Sequence, residues 1–431
     1  MGAKRLKAIA VRGTREVPVA AKNRLDNVRR DFLEKLKAAP FIELLRRYGT
    51  AGDLSNFVIR GDANIKNWSL IGEEAMPTHS RISDENVVKY QVKKYACAGC
   101  PVACGGIVKV ADSPYQVTEG HKPEYESVGA FGPQCFNDNV ESIIKANEIC
   151  NLYGIDTISA GLVIAFAMEC YQRGVIGKRE LGDIELTWGN APAIIALLDK
   201  MVRREGFGNV LADGVKRAAE QIGHGAEEWA IHIGGQEPAI RDPRLFPGRG
   251  TAYIVDPTPG RHNPGSFTAM SERGGIFGSA PVLQTPRLEV YGDYHNKGPM
   301  YALALDYWHL LNSSGLCQFA GLTGTLPLAE FISAVTGWDF TMAEGLTAGK
   351  RIQTMRQAFN AREGILPEHF MLPERIAKAA PMGPFAGVSI DFDVLRGGYF
   401  AAMGWDLKTG KPYWRTLVDL GLPEVADDLW E

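Results

Sequence analysis

A short loop with three closely spaced cysteines constrains this chain more than any other feature. Cys97, Cys100 and Cys104 follow the pattern C-x2-C-x3-C, and the residues between them are mostly small or rigid. Thiolates this close together can occupy three corners of one iron–sulfur cube, which then needs a fourth ligand from elsewhere. The spacing also fits a zinc site or structural thiols, although zinc sites usually use two separated ligand pairs.

The composition indicates a soluble globular protein of two or three domains. The chain has 431 residues, of which 45% are hydrophobic and 23% charged. A net charge of −3 gives no reason to expect nucleic acid or an anionic membrane as a partner. No apolar run is long enough to predict a transmembrane helix. An odd number of cysteines and the lack of a signal-peptide pattern favour a reducing cytoplasm.

Helical periodicity dominates the chain, so the predicted fold class is mainly α. We predict an N-terminal segment over residues 1–20 and two helical domains over residues 21–229 and 230–431. Residues 6–12 read as a single β-strand, which must pair with a sheet from outside this sequence or lie on the surface. A helix is predicted over residues 83–95, running into the cysteine loop.

Two candidate acid/base residues stand in unlike surroundings. Glu126 belongs to a Glu-Tyr-Glu run, and a buried glutamate can exchange protons near neutral pH because burial raises its pKa. The local pattern alone favours an exposed loop with ordinary acids. His262 lies in residues 248–278, whose glycines and prolines predict a long functional loop. A lone histidine is more often structural than functional.

A local pattern of polar-x-x-Gly-aliphatic-polar occurs twice. It covers residues 151–156 and 312–317, and each copy is predicted to end a helix at its glycine. Asp156 is also predicted to cap the following helix. Because the second copy ends in Cys317, that cysteine is predicted to be the fourth ligand of the cluster.

Taken together, these segments resemble the tungsten-containing aldehyde:ferredoxin oxidoreductase family over nearly the whole chain. The resemblance is carried by residues 2–13, 97–104, 123–127, 150–159, 256–262, 314–317, 359–364 and 404–406. It implies that the two helical domains correspond to domains 2 and 3 of that family. It also implies oxidation of an aldehyde to a carboxylic acid, with electrons passed to ferredoxin or a similar carrier.

The resemblance assigns two cofactors to residues of this chain. A [4Fe–4S] cluster would be held by Cys97, Cys100, Cys104 and Cys317. A tungsten or molybdenum ion between two pterins would be bound by Asn151, Gly154, Ile155 and Asp156 on one side and by Asn312, Gly315 and Leu316 on the other. Glu126 would lie near the metal as the acid/base group. The protein would bind, orient and tune these cofactors.

The sequence also departs from the family pattern. The family's N-terminal β-rich domain is not found here, so the resemblance implies that residues 1–20 are a remnant strand of that domain. This suggests a fragment, a displaced gene start, or a split enzyme whose separate subunit supplies that domain. Phe277 stands where aldehyde-oxidising members have a histidine, which leaves His262 as the nearby substitute. Lys145 and Glu148 replace a Glu-x-x-His pair that binds a bridging iron in some members, so we expect no such iron, although a homodimer can form without it. Both pterin motifs begin with Asn where well-known members have Asp.

Three alternatives remain at this point. A relative that reduces the ring of an aromatic thioester is the nearest enzymatic one. An electron-transfer subunit or fragment would hold only the [4Fe–4S] cluster, without tungsten. A non-functional fragment would expose apolar surface and be poorly soluble.

Overall fold

Helices form most of the structure, a computed structural model that describes residues 6–274 and 280–431. The predicted mainly helical class is confirmed. The helices of the first half are α1 (Lys22–Ala38), α2 (Pro40–Tyr48), α3 (Leu54–Ile59), α4 (Asp84–Val88), α5 (Tyr125–Phe131), α6 (Val140–Tyr153), α7 (Thr157–Gln172), α8 (Lys178–Leu181), α9 (Ala191–Arg203), α10 (Phe207–Leu211) and α11 (Val215–Ile222). Those of the second half are α12 (Pro247–Val255), α13 (His262–Glu272), α14 (Gly298–Ser313), α15 (Gln318–Gly321), α16 (Leu328–Thr336), α17 (Met342–Arg362), α18 (Glu374–Ala377), α19 (Phe392–Met403), α20 (Trp414–Asp419) and α21 (Pro423–Trp430).

The strands are short and antiparallel. β1 (Asn64–Ile65) pairs with β2 (Leu70–Ile71), and a second sheet has the order β3 (Gln91–Tyr95), β4 (Gly105–Val110), β5 (Val117–His121). The predicted helix over residues 83–95 is therefore wrong beyond Val88. The segment that follows pairs with β4, and this long-range partner outweighs the local helical pattern.

The predicted strand over residues 6–12 is also wrong. Residues 6–14 have no regular secondary structure, and Ile9 and Val11 are 71% and 91% exposed. A strand needs a partner for its backbone hydrogen bonds, and nothing in the described chain pairs with this segment.

The core of the first half is built around α7. Its residues from Ala160 to Cys170 are all buried, as their small and apolar character predicted. Gly161 lets α7 approach α5 closely, since a Cβ atom at this position would lie 2.6 Å from the Cβ of Ala130. α5 is thereby held firmly, and it carries Glu126.

Residues 248–278, predicted as a loop, contain two helices instead. α12 and most of α13 are buried. A Cβ atom at Gly265 of α13 would lie 2.7 Å from the Arg249 side chain of α12. The glycines that suggested a loop thus allow two helices to pack closely, which overrides their low helix propensity.

The predicted domain boundary near Trp229 stays a prediction. One cluster of buried apolar side chains runs from Ala51 to Ile240, and another extends mainly from Ile231 to Trp405. Within the described ranges, no helix is both long and apolar enough to cross a bilayer.

Candidate functional site

Three of the predicted cluster cysteines lie in the loop between β3 and β4. Tyr95 pairs with Gly105 at the base of this loop, which holds the cysteines at the end of a hairpin. The backbone N–H of Cys100 donates to the carbonyl oxygen of Cys97 at 3.0 Å. Cys97 is exposed, Cys100 and Cys104 are half-buried, and all three are free thiols.

Cys317 lies close enough to this loop for its thiol to interact with the loop thiols. Burial raises the pKa of Cys317, and the thiols of Cys100 and Cys97 raise it further. Burial also raises the pKa of Cys104 to about 11, with added effects from Glu124 and Cys317. Such thiols ionise readily only when a cation such as iron binds them. The donor set therefore fits an iron–sulfur cluster.

A single-ion site is a different geometry from a cluster site. Among residues 6–274 and 280–431, no three His, Cys, Asp or Glu side chains converge as ligands of one metal ion. An iron–sulfur cube places its thiolates on different iron atoms, so its ligands need not meet at one point. The assignment of the four cysteines to a cluster stays a prediction.

Glu126 and His262, the two acid/base candidates, face each other. Glu126 lies in the first turn of α5, and His262 is the first residue of α13. Oε1 of Glu126 is 3.6 Å from Nδ1 of His262, slightly beyond hydrogen-bond distance. Oε2 of Glu126 accepts a hydrogen bond from the backbone N–H of Ile240 at 2.7 Å. Oε1 has no hydrogen-bond partner within the described chain.

Burial disfavours the charged form of both members of this pair. It raises the pKa of Glu126 to about 7. It lowers the pKa of His262 to about 3, and the positive charges of Arg241 and Arg249 add to this effect. The contact is therefore not an ion pair at neutral pH. Glu126 can accept or release a proton near pH 7, as a general acid or base must.

A cavity of about 730 Å³ joins the acid/base pair to the cysteine loop. Its polar wall includes Thr50, Cys104, Glu124, Glu126, His262, Asn263 and Gln318. Its apolar wall includes Phe41, Leu44, Leu45, Met270, Phe319 and Leu322. The buried Oε1 atoms of Glu126 and Gln318 lack hydrogen-bond partners in the described structure, so a polar group in the cavity would satisfy them.

A second cavity, of about 220 Å³, brings the first predicted pterin motif to the same carboxylates. Asn151 and Asp156 line it together with Glu124 and Glu126. The motif has the predicted local structure. Gly154 ends α6 with φ +72°, and the Asp156 side chain caps α7 by accepting from the Ser159 N–H at 2.8 Å. Ile155, between them, is half-buried.

The second predicted pterin motif lies on the surface at the end of α14. Asn312, Gly315 and Leu316 are exposed, and Gly315 adopts φ +73°. Two residues beyond the motif, Gln318 and Phe319, line the larger cavity. The structure thus places both motifs next to residues of the two cavities, and their role in pterin binding stays a prediction.

Four arginines of the larger cavity were not predicted from the sequence. They are Arg60, Arg241, Arg249 and Arg273. The buried carboxylate of Asp62 accepts from Arg241 at 2.7 Å and from Arg249 at 2.6 Å. Asp62 precedes these two arginines by 179 and 187 positions. The only local signal is that Arg249 stands among small and apolar residues.

Two predicted departures from the family pattern are only partly visible. Phe277 lies outside the described residues. Nζ of Lys145 lies 2.6 Å from a carboxylate oxygen of Glu148, so these two residues form an ion pair. The expectation that they bind no bridging iron stays a prediction.

Comparisons with known proteins agree over nearly the whole chain. The family model described as "Aldehyde ferredoxin oxidoreductase, domains 2 & 3" matches residues 27–422. The chain is 33% identical to the tungsten-containing aldehyde ferredoxin oxidoreductase of Pyrococcus furiosus, covering 98% of this chain and 68% of that protein. It is 32% identical to the protein of the same description from Thermococcus kodakarensis, covering 94% and 65%.

Two more distant similarities extend the comparison. The chain is 28% identical to the aliphatic sulfonate oxidoreductase, WOR-like subunit, of Pyrococcus furiosus. That alignment covers all of this chain and 66% of the other protein. The BamBC active-site complex of benzoyl coenzyme A reductase aligns with a TM-score of 0.76 at 20% identity, over 97% of this chain and 68% of that one. This last match shows a shared fold. The chain spans about two-thirds of the length of the relatives it matches.

Proposed function

Because the chain belongs to the aldehyde ferredoxin oxidoreductase family, we propose that it is the cofactor-binding part of a tungsten or molybdenum bis-pterin oxidoreductase. The enzyme would oxidise an aldehyde to a carboxylic acid. Its electrons would pass through a [4Fe–4S] cluster to ferredoxin or a similar carrier. The resemblance drawn from the motifs is confirmed at the level of the family, whereas this activity is our proposal.

One observation supports the proposal most strongly. Cys104 of the cysteine loop and the Glu126–His262 pair border one cavity. Electron transfer through a cluster requires the cluster to lie near the reacting group, and proton transfer requires an acid/base group there. With Cys104 as a cluster ligand and Glu126 as the acid/base group, the cavity would meet both requirements with residues from α5, α13 and the β3–β4 loop.

The reaction balances with water as the oxygen source. An aldehyde and one water molecule give a carboxylic acid, two protons and two electrons. The bis-pterin metal group would supply the two-electron chemistry when bound, and the cluster would pass electrons on singly. Asn151, Gly154, Ile155 and Asp156 would bind one pterin, and Asn312, Gly315 and Leu316 the other.

Glu126 would act as the general base. Glu126 lines the cavity, and its Oε1 has no hydrogen-bond partner in the described structure, so it could accept a proton from the water that adds to the aldehyde carbon. Since burial raises its pKa to about 7, the deprotonated form increases as the pH rises through neutrality. We therefore expect the rate to rise across the same pH range. His262 would stay neutral, because burial lowers its pKa to about 3, and its imidazole would hydrogen-bond the aldehyde oxygen.

Metal analysis tests the cofactor assignment. We expect tungsten or molybdenum together with about four irons per chain, as one cubane cluster requires. Iron without tungsten or molybdenum would favour the electron-transfer alternative and would contradict the proposed oxidation.

Glu126→Gln tests the acid/base assignment. The amide keeps the size of the side chain but cannot accept a proton, and loss of a general base costs roughly 10²- to 10⁴-fold in rate. The cluster absorbance should stay unchanged. Glu119→Gln, on an exposed position of β5, is the matched control. A Glu126→Gln enzyme of full activity would rule out the assigned role.

A further inference from the structure

We propose that the larger cavity contains a binding site for an anionic group of the substrate, a carboxylate or sulfonate, formed by its four arginines. This inference rests on the proposed function and names its substrate class. The substrate would be an aldehyde with an apolar body and a negatively charged end.

The four arginines are arranged in two pairs around two phenylalanine rings. The guanidinium carbons of Arg241 and Arg60 lie 4.0 and 5.1 Å from the centre of the Phe57 ring. Those of Arg273 and Arg249 lie 4.1 and 5.2 Å from the centre of the Phe246 ring. Guanidinium groups that contact aromatic rings are held in place and keep N–H groups free for an anion.

Acidic side chains compensate only part of this positive charge. Asp62 bridges Arg241 and Arg249. Arg60 forms a loose ion pair with Asp53 at 3.8 Å. Glu124 also lines the cavity, where it accepts a hydrogen bond from Thr50 rather than from an arginine.

Arg273 makes no ion pair with any residue that the structure describes. Burial lowers its pKa, and the charges of Arg60 and Arg249 lower it further, so its neighbours are mainly positive. Glu126, with a pKa of about 7, supplies only partial compensation.

Three of these arginines also have unpaired donors. The buried Nε atoms of Arg60, Arg241 and Arg249 have no hydrogen-bond partner in the described structure. Arg249 is only 3% exposed. A buried donor without a partner destabilises the free protein, and more so if it is charged. An anion with several oxygen atoms could accept from more than one of these groups.

The rest of the cavity suits a carbon skeleton that joins this anion to the reacting carbon. Phe41, Leu45 and Leu322 form part of an apolar wall. Arg241 and Arg249 line the same cavity as Glu126 and lower its pKa, so the arginines lie within electrostatic range of the general base. A substrate anchored by its anionic end would therefore place its aldehyde within the same cavity as Glu126.

The test compares two aldehydes that differ only in charge, 4-formylbenzoate and 4-formylbenzamide, with the purified cofactor-loaded enzyme. A hydrogen bond to a charged group contributes about 1.5–3 kcal/mol, which corresponds to roughly 10- to 150-fold in affinity. Arg273→Gln should lower the ratio of kcat/KM for the acid over the amide by that factor, mainly through KM. Arg60→Gln should act in the same direction. The Arg179 side chain is 93% exposed on α8, so the control variant Arg179→Gln should leave the ratio unchanged.

Binding is measured separately from turnover, by calorimetry with benzoate and benzamide. We expect benzoate to bind more tightly than benzamide, and Arg273→Gln to weaken only benzoate. If this pattern holds but neither aldehyde is oxidised, the anion site stands and the proposed function fails. Equal binding of both compounds would overturn the site. A loss of metal and pterin from Arg273→Gln, with both aldehydes equally affected, would assign the arginines to the cofactor's own anionic groups and would overturn the substrate proposal.

Discussion

Replacing Asp62 with asparagine tests the electrostatic structure of the larger cavity most directly. Asp62 is fully buried, and its carboxylate oxygens accept from Arg241 at 2.7 Å and from Arg249 at 2.6 Å. An amide of the same shape keeps one acceptor but turns an NH₂ group toward the other guanidinium. Removing one partner of a buried ion pair costs about 3–5 kcal/mol. We expect Asp62→Asn to lower the free energy of unfolding by that amount at pH 7, measured by urea unfolding with circular dichroism.

The pH dependence of this loss has a definite sign. Burial raises the pKa of Asp62, but the charges of Arg241 and Arg249 outweigh it, and the net shift is downward. A carboxyl group whose pKa is lowered by folding stabilises the protein above its unfolded pKa, which is about 3.9. This stabilisation is lost as the pH falls through the lower, folded pKa. The gap between the parent and Asp62→Asn should therefore be complete at pH 7 and shrink below about pH 4.

The same substitution should also act on Glu126. The negative charge of Asp62 helps to raise the pKa of Glu126, whereas Arg241 and Arg249 lower it. Without Asp62 the arginines act alone, so the midpoint of the pH–rate profile should move to lower pH.

An exposed ion pair provides the control for Asp62→Asn. Arg81 and Asp138 lie 2.8 Å apart, with the Arg81 side chain 67% exposed. Asp138→Asn should therefore cost less than about 1 kcal/mol. A cost below about 1 kcal/mol for Asp62→Asn, or an unmoved pH midpoint, would refute this reasoning.

Two further predictions concern packing and a second buried acid. Gly161→Ala should destabilise the protein by about 1–3 kcal/mol through overpacking against Ala130. A Cβ atom at Gly397 in α19 meets no described atom within 4 Å, so Gly397→Ala should be neutral or stabilising by up to about 1 kcal/mol. Urea unfolding of both variants measures the difference. Burial raises the pKa of Asp306 to about 8 in the folded protein. Above the unfolded pKa of about 3.9, the carboxyl group ionises more readily in the unfolded chain than in the folded one, which favours unfolding. Asp306→Asn should therefore be more stable than the parent by a few kcal/mol at pH 7, with a gap that grows from about pH 4 and levels off above about pH 8; a pH-independent gap would contradict this account.

Features set by neighbouring residues were predicted well from the sequence. The helix ending at Gly154 and the cap at Asp156 need only local geometry, a glycine in the left-handed region and a short carboxylate at a helix start. The burial of α7 follows from its composition in the same way. The predicted strand over residues 6–12 failed because strand formation needs a partner, and the described chain provides none.

The errors around the site come from contacts between distant residues. The glycines of α12 and α13 read as loop residues, but they serve helix packing, as Gly248 against Tyr301 and Gly265 against Arg249 show. The arginine cluster depends on Asp62, which lies far from its partners in the sequence. No local pattern reports such a pairing. The four cysteines were recognisable because three of them are close in sequence and the fourth ends a recurring motif.

The two proposals together imply a coupling between substrate binding and the base. In the free protein, Arg241 and Arg249 lower the pKa of Glu126 and oppose the effect of burial. An anion bound among the arginines would offset part of their charge, so the pKa of Glu126 would rise in the complex. A higher pKa makes a stronger base but leaves less of it deprotonated at neutral pH. The pH midpoint of kcat for a charged aldehyde should therefore lie above that for a neutral one, since kcat reports the enzyme–substrate complex. Identical midpoints for 4-formylbenzoate and 4-formylbenzamide would show that the anion binds too far from Glu126 to affect it.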